Sequence, residues 1–203
     1  MAAVPGIVLA AGWSRRMGRP KALLPCLPGG ETFVARTVRI LGGGGVDGVI
    51  VVGRSDDEGL QAELGRLSPE PAFVVNPDPD RGQLSSVLAG VDAAATRGAE
   101  AVMVLPVDLP QVRPETVAAI LGAFAERHPS IVRATHRGRH GHPVLFARAV
   151  FGELRAADPR VGARSVLHAH PARVLDVEVP DPGVLRDVDR PADYAALFGE
   201  PPR

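Results

Sequence analysis

The sequence predicts an α/β fold: a single three-layer α/β/α domain on a mostly parallel, doubly wound sheet with one antiparallel strand. Three observations lead there. Short apolar runs alternate with helix-like segments up to about residue 130. Those runs are apolar along their whole length, as strands covered on both faces are. Beyond them, two strand-like stretches flank a glycine-containing turn, which brings the chain back antiparallel.

The elements follow in order. Gly6 to Ala10 is short, continuous and closed by glycine, the pattern of a buried strand. Glu31 to Leu41 places Phe33, Val34, Thr37, Val38 and Leu41 on one helical face, and Gly42 to Gly45 stop it. Gly48 to Gly53 is the second strand and Asp56 to Leu67 the next helix. Ala72 to Asn76 is a strand ended by Pro77. Leu84 to Arg97 is an alanine-rich helix, Ala101 to Leu105 a strand, and Pro114 to Arg127 a helix with proline in its first turn. Ser130 to Thr135 and Pro143 to Phe146 read as strands around a basic loop. Ala147 to Ala157 and Val161 to Ala169 read as helices, Arg173 to Val179 as a late strand, and Pro191 to Phe198 as a terminal helix. There is no internal repeat and no low-complexity linker. One domain over residues 1–203 is the simplest account.

Composition removes several functional classes. The formal net charge is zero, so nothing draws the chain generally to nucleic acid or anionic lipid. A single cysteine, Cys26, excludes an internal disulfide and a thiolate metal cluster. The start of the chain lacks a basic segment followed by an apolar stretch, and no apolar run spans a bilayer; a cytoplasmic protein is expected. Of 23 basic residues only one is lysine, Lys21. A lone lysine among arginines points to its own chemistry, that of a compact, mobile point charge.

Lys21 closes the loop Leu9-Ala10-Ala11-Gly12-Trp13-Ser14-Arg15-Arg16-Met17-Gly18-Arg19-Pro20-Lys21. A loop after the first strand lies at the carboxyl edge, where doubly wound sheets bind ligands. Its glycines let backbone N–H groups approach phosphate oxygens, and its cations neutralise them. The Walker spacing and the Gly-x-Gly-x-x-Gly spacing are both absent, which disfavours P-loop and dinucleotide chemistry. Trp13 either lines the site or packs.

Asp108, in Leu105-Pro106-Val107-Asp108-Leu109-Pro110, falls just past the fourth strand at the same edge. It suits either a magnesium ligand or a turn aspartate before proline. Asp187 and Asp189 alternate on an extended stretch and share one face. Asp189 suits equally an N-cap for the helix that Pro191 opens, and Asp193 a first-turn charge. Gly82, Gln83, Ser85 and Ser86 precede the alanine-rich helix, placed to bond a ribose or base or simply to start the helix. Arg137 to Val144 is basic. His140 and His142 lack the partners of a zinc site, and a phosphate-facing patch competes with a solvated loop. His168 and His170 read as surface residues.

The spaced residues Gly12, Ser14, Arg16, Met17, Gly18 and Lys21 resemble the signature loop of nucleotidyltransferases with a sugar-nucleotide-pyrophosphorylase-like fold. Six such positions match by chance on the order of once in 10⁶–10⁷ start sites. Within that superfamily the chain most resembles the molybdenum cofactor cytidylyltransferases of the MobA-like group, over roughly residues 5–199.

The resemblance implies a nucleotide-binding half at 1–110 and an acceptor-binding half at 111–203. Leu9, Ala10, Ala11, Gly12, Ser14, Arg15, Arg16, Met17, Gly18, Lys21, Gly82, Gln83, Ser85 and Ser86 would hold the nucleotide, with Arg16, Lys21 and Asp108 catalytic. Magnesium would sit on Asp108 and one of Asp187 and Asp189, with Asp187 favoured. His142, in a Gly-His-Pro segment, and Arg164, in Gly162-Ala163-Arg164-Ser165, would face the acceptor. Guanylyl relatives carry Leu-Ala-Gly-Gly and a proline-containing Gly-Pro-Leu. This chain has Ala11 and Gly82-Gln83-Leu84, so CTP is the expected nucleotide, a molybdopterin-type phosphate the acceptor and a molybdoenzyme a possible partner.

Overall fold

The computed structural model describes residues 3–26, 30–169 and 171–199, so His170 lies outside the described residues. Seven strands form the main sheet: β1 (Gly6–Leu9), β4 (Val49–Gly53), β5 (Ala72–Val75), β6 (Ala101–Pro106), β7 (Ile131–His136), β8 (Arg139–Ala147) and β9 (Val174–Glu178). Their order is β5-β4-β1-β6-β8-β7-β9. β8 runs antiparallel to both β6 and β7, and every other pairing is parallel. This is the expected mostly parallel sheet with one reversed strand. A two-stranded ladder, β2 (Pro25–Cys26) with β3 (Glu31–Thr32), was not expected.

The sheet is covered on both sides because successive strand residues point to opposite faces. Val8, Val51, Met103 and Leu105 join one core with α1 (Phe33–Gly43), α2 (Glu58–Leu64), α4 (Pro114–Arg127) and α7 (Pro191–Phe198). Ile7, Ile50, Val52, Val102 and Val104 join the other with α3 (Gln83–Thr96), α5 (Phe151–Ala156) and α6 (Arg164–Ala169). α7 docks on α1 through Tyr194, whose ring stacks on Phe33 at 6.1 Å and whose hydroxyl donates to the Pro25 carbonyl at 2.7 Å.

Caps explain the boundaries that differ from expectation. α1 starts at Phe33, not Glu31, because Glu31 and Thr32 pair as strand and the Thr32 hydroxyl accepts from the Ala35 N–H. α2 is confined to Glu58–Leu64 because the Asp57 carboxylate caps it at the Leu60 N–H, 3.0 Å away. The segment 147–157 divides into a 3₁₀ turn, Arg148–Val150, and α5; α6 begins only at Arg164. The hairpin turn shrinks to Arg137 and Gly138, with φ of 52° and 71°. His140 and His142 therefore lie on β8, not in a loop.

Three chain segments converge at one edge. Leu9 and Pro106 are register partners, so the chain leaves β1 and β6 side by side. The Val107 N–H bonds the Leu9 carbonyl at 3.2 Å, and the Val188 N–H bonds the Asp108 carbonyl at 2.9 Å. On β8, Val144 faces Val104, and continuing that register brings His142 level with Pro106. No helix among the described residues is long and apolar enough to cross a membrane.

Candidate active site

The loop after β1 is folded around Ser14. Its φ of 52° lies in the left-handed region that non-glycine residues rarely adopt. Its carbonyl accepts from the N–H groups of Met17 and Gly18 at 2.9 and 3.1 Å, and its hydroxyl accepts from the Lys21 N–H at 3.0 Å. Met17, 4% exposed, anchors the loop in the core, and Gly18 turns with φ 77°. Met17 and Gly18 thus shape the loop, while Gly12, Arg15 and Arg16 stay exposed on it.

Lys21 reaches across to both acidic segments. Its ammonium lies 3.1 Å from Asp108 Oδ2 and bonds Asp189 Oδ1, and Arg16 adds a second cation 2.9 Å from Asp189 Oδ2. Burial pushes the Asp189 carboxyl up, but hydrogen bonding and charge from Lys21, with the charge of Arg16, outweigh it and hold the group below its ordinary value. Asp189 is not the cap of α7. The N-cap position is Arg190, and Asp193 at the third helical position closes the capping box, its carboxylate accepting from the Asp189 and Arg190 N–H groups at 3.0 and 2.8 Å.

Asp187 differs. Desolvation of its carboxyl, then the negative charges of Asp108 and Asp189, raise its pKa above the ordinary carboxylate value against Lys21 and Arg164. Asp187 thus carries the like-charge repulsion of the cluster, whereas Asp189 is relieved of it by Lys21 and Arg16. Among the described residues no three His, Cys, Asp or Glu side chains form a ready metal cluster, and Lys21 stands between Asp108 and Asp189. The oxygen donors of Asp108 and Asp187 nonetheless fit the chemistry of magnesium, which takes one or two carboxylates and completes its shell with water and phosphate.

The opposite wall centres on Asn76, which sequence reasoning missed. It is 2% exposed, and its amide donates to the hydroxyls of Ser85 and Ser86, both at 2.9 Å. Its carbonyl oxygen accepts from the Asp78 N–H at 2.9 Å. One side chain thereby fixes the turn before α3 to the helix start. Gly82 enters that helix with φ 90°, a conformation suited to glycine. Ser85 is occupied internally, accepting from Asn76 and donating to the Gly82 carbonyl at 2.7 Å. A polar residue ending a strand before proline was the available sign of Asn76; its partners were not.

On the β8 side, His142 carries a buried Nδ1 with no partner. Burial, followed by opposing contributions from Asp108 and the Val104 backbone, with Arg164 adding to burial, lowers its pKa. Arg164, at the start of α6, is exposed, and its charge is felt at both His142 and Asp187. Exposed His168 takes no part.

A cavity of about 430 Å³ joins these pieces. Of the residues expected from sequence, Leu9, Ala10, Ala11, Gly12, Ser14, Arg15, Arg16, Lys21, Gly82, Gln83, Ser86, Asp108 and Asp189 line it. Met17, Gly18, Ser85, Asp187, His142 and Arg164 do not, standing behind or beside its wall. Trp13, Asp57 and Asp80 line it too.

Such a cavity has cations and carboxylates at one end and a glycine-led helix start at the other, on a mostly parallel sheet. The fold is that of the nucleotidyltransferases of nucleotide-diphospho-sugar transferase type. The chain belongs to the MobA-like NTP transferase family: the model of the MobA-like NTP transferase domain matches residues 6–174.

Three relatives span nearly its whole length. The purine catabolism protein PucB of Bacillus subtilis is 30% identical, with 93% of each chain covered. A probable molybdenum cofactor guanylyltransferase of Mycolicibacterium paratuberculosis is 32% identical, covering 95% of this chain and 93% of that one. The nicotine blue oxidoreductase of Paenarthrobacter nicotinovorans is 34% identical over 92% of each. Among solved structures, Rv0371c of Mycobacterium tuberculosis superposes with TM-score 0.82 at 28% identity, covering 98% and 99% of the two chains. A complex of that protein with manganese gives TM-score 0.76 at 28% identity, covering 97% and 98%. A nucleotidyl transferase from Methanothermobacter gives 0.80 at 25%, covering 97% and 96%.

Proposed function

We propose that this chain is a magnesium-dependent cytidylyltransferase. It moves CMP from CTP to the terminal phosphate of a molybdopterin-type acceptor, releases pyrophosphate, and hands the product to a molybdoenzyme. The observation that carries the reading is Lys21, held between Asp108 and Asp189 at the cation-rich end of the cavity. The relative named as a molybdenum cofactor guanylyltransferase supports the acceptor class, and the neighbour's manganese complex supports a divalent ion.

In the reaction an acceptor phosphate oxygen bonds to the α-phosphorus as the bond from that phosphorus to the bridging oxygen breaks, and the electron pair leaves with pyrophosphate. The attacking oxygen is already anionic near neutral pH, so no general base is needed. Lys21 exchanges its carboxylate partners for β- and γ-phosphate oxygens, and Arg16 neutralises the same end. Asp108 and Asp187 would hold the magnesium, which supplies charge neutralisation on the phosphates. His142, with its unpartnered Nδ1, and Arg164 bind the acceptor side. Rate comes from in-line positioning and charge.

For the base, Ala11 is 2% exposed and lines the cavity, so its methyl takes room that a purine would use. The guanylyltransferase relative favours GTP as the second reading. Pyrophosphate release, measured with each NTP, magnesium and molybdopterin, decides. CTP should turn over fastest, and faster turnover of GTP would replace the first reading with the second. Lys21→Ala and Asp108→Ala should each lower turnover by about a hundredfold or more with the fold retained, a loss of the size that follows removal of one charge-stabilising group. Near-wild-type pyrophosphate release by either would remove the role assigned to it.

A further inference from the structure

Trp13 is the chain's one tryptophan, it lines the cavity, and it is 44% exposed. Its indole is nevertheless fixed. Nε1 donates to Asp80 Oδ1 at 2.9 Å, tying the loop after β1 to the turn before α3. The Arg54 guanidinium lies 4.4 Å from the ring centroid. That guanidinium is itself held by Asp56 at 3.1 Å and Asp57 at 3.6 Å, and reaches the Gly12 carbonyl at 3.4 Å. One ring face is therefore covered by a cation and the nitrogen edge is tethered, while the residue remains 44% exposed at the cavity. The tether is on the Asp80–Gln83 side, away from the end where Lys21 meets the carboxylates.

We propose that Trp13 is the aromatic wall of the nucleoside subsite, and that a nucleobase stacks on the face opposite Arg54. The inference rests on the nucleotide reading above and adds the contact made by the base. Stacking on an aromatic side chain is favourable for every base, because each has a π-face. A ring already fixed by Asp80 and Arg54 loses little freedom when the ligand arrives. Such a wall strengthens nucleotide binding without choosing between bases, leaving that choice to neighbours such as Ala11 and Gln83.

The test uses the full chain, wild type against Trp13→Ala and Trp13→Phe, titrated with CTP, GTP and inorganic tripolyphosphate by calorimetry, with tryptophan fluorescence followed in the wild type alone. With one tryptophan, a saturable fluorescence change on nucleotide addition to the wild type reports this ring. Trp13→Ala should weaken nucleotide binding roughly five- to a hundredfold, leave tripolyphosphate binding within about twofold, and be largely rescued by phenylalanine. Nucleotide affinity unchanged in Trp13→Ala overturns the wall and leaves the nucleotide reading standing. Equal losses for nucleotide and tripolyphosphate also overturn it, since Trp13 would then only organise the loop. A wild type that binds tripolyphosphate and no nucleotide defeats both.

Discussion

Replacing Asn76 with alanine removes three hydrogen bonds at once, two to the serine hydroxyls that open α3 and one from the Asp78 N–H, each at 2.9 Å. A net hydrogen bond contributes about 1 kcal/mol, and a buried group left unpaired costs about 1–3 kcal/mol. Ser86, 6% exposed, loses its bond from the Asn76 amide, whereas Ser85 keeps its bond to the Gly82 carbonyl. The expected loss is therefore about 2–4 kcal/mol, a fall in Tm of about 5–12 °C for a domain of this size. Because the same side chain positions Gly82, Gln83 and Ser86 along the cavity, nucleotide KM should rise as well. Urea unfolding gives the first quantity and steady-state kinetics the second. A double-mutant cycle with Ser86→Ala should show coupling near 1 kcal/mol, as contacting residues do. A variant that unfolds within about 0.5 kcal/mol of wild type, the range of an ordinary surface change, would refute the assignment of Asn76 as the brace of this wall.

Two further outcomes are expected. At Gly141 an added methyl would press into the Val184 carbonyl, in the stretch that leads to Asp187 and Asp189. Gly141→Ala should cost about 1–3 kcal/mol and lower turnover as those carboxylates shift; unchanged unfolding and kinetics would show that the stretch yields freely. Burial pushes the Cys26 thiol up to about 11 against Arg36 and Arg39, with Glu31 assisting. At pH 8 this leaves about a hundredfold less thiolate than the ordinary value of 9.0 would give, so dithionitrobenzoate should modify Cys26 only on unfolding. Rapid stoichiometric labelling of the native chain would contradict that burial.

What could be read in advance depended on how local the determining contacts are. Strands such as Val49–Gly53 and Ala101–Pro106 were legible because they are buried on both faces, which demands unbroken apolar runs. Helix starts were less so. Thr32 and Asp57 set them through cap bonds that compete with propensity, and the pairing of Glu31 with Cys26 carried no pattern of its own. In the candidate site, the glycines and cations of the loop from Gly12 to Lys21 pointed to a ligand-facing segment, and the loop lines the cavity. The bonds from Lys21 to Asp108 and Asp189 span 87 and 168 positions, which no window can register. Asn76 and Arg54 act on residues from other segments and leave only a polar side chain at a strand end as a trace. The helix-cap reading of Asp189 fell away only once Arg190 and Asp193 were seen to close the start of α7.

The bond between the Val188 N–H and the Asp108 carbonyl also bears on the protein's life at the ribosome. Synthesis delivers Lys21 early and Asp189 168 residues later. By then the chain has already supplied β1, β4, β6 and Asp108, so Asp189 is the later of the two carboxylates that pair with Lys21. The carboxylate end of the cavity is complete only when the stretch carrying Val188 and Asp189 lies beside Asp108. A chain ending before that stretch would keep the loop and Asp108 but lose the pairing of Asp189 with Lys21 and Arg16.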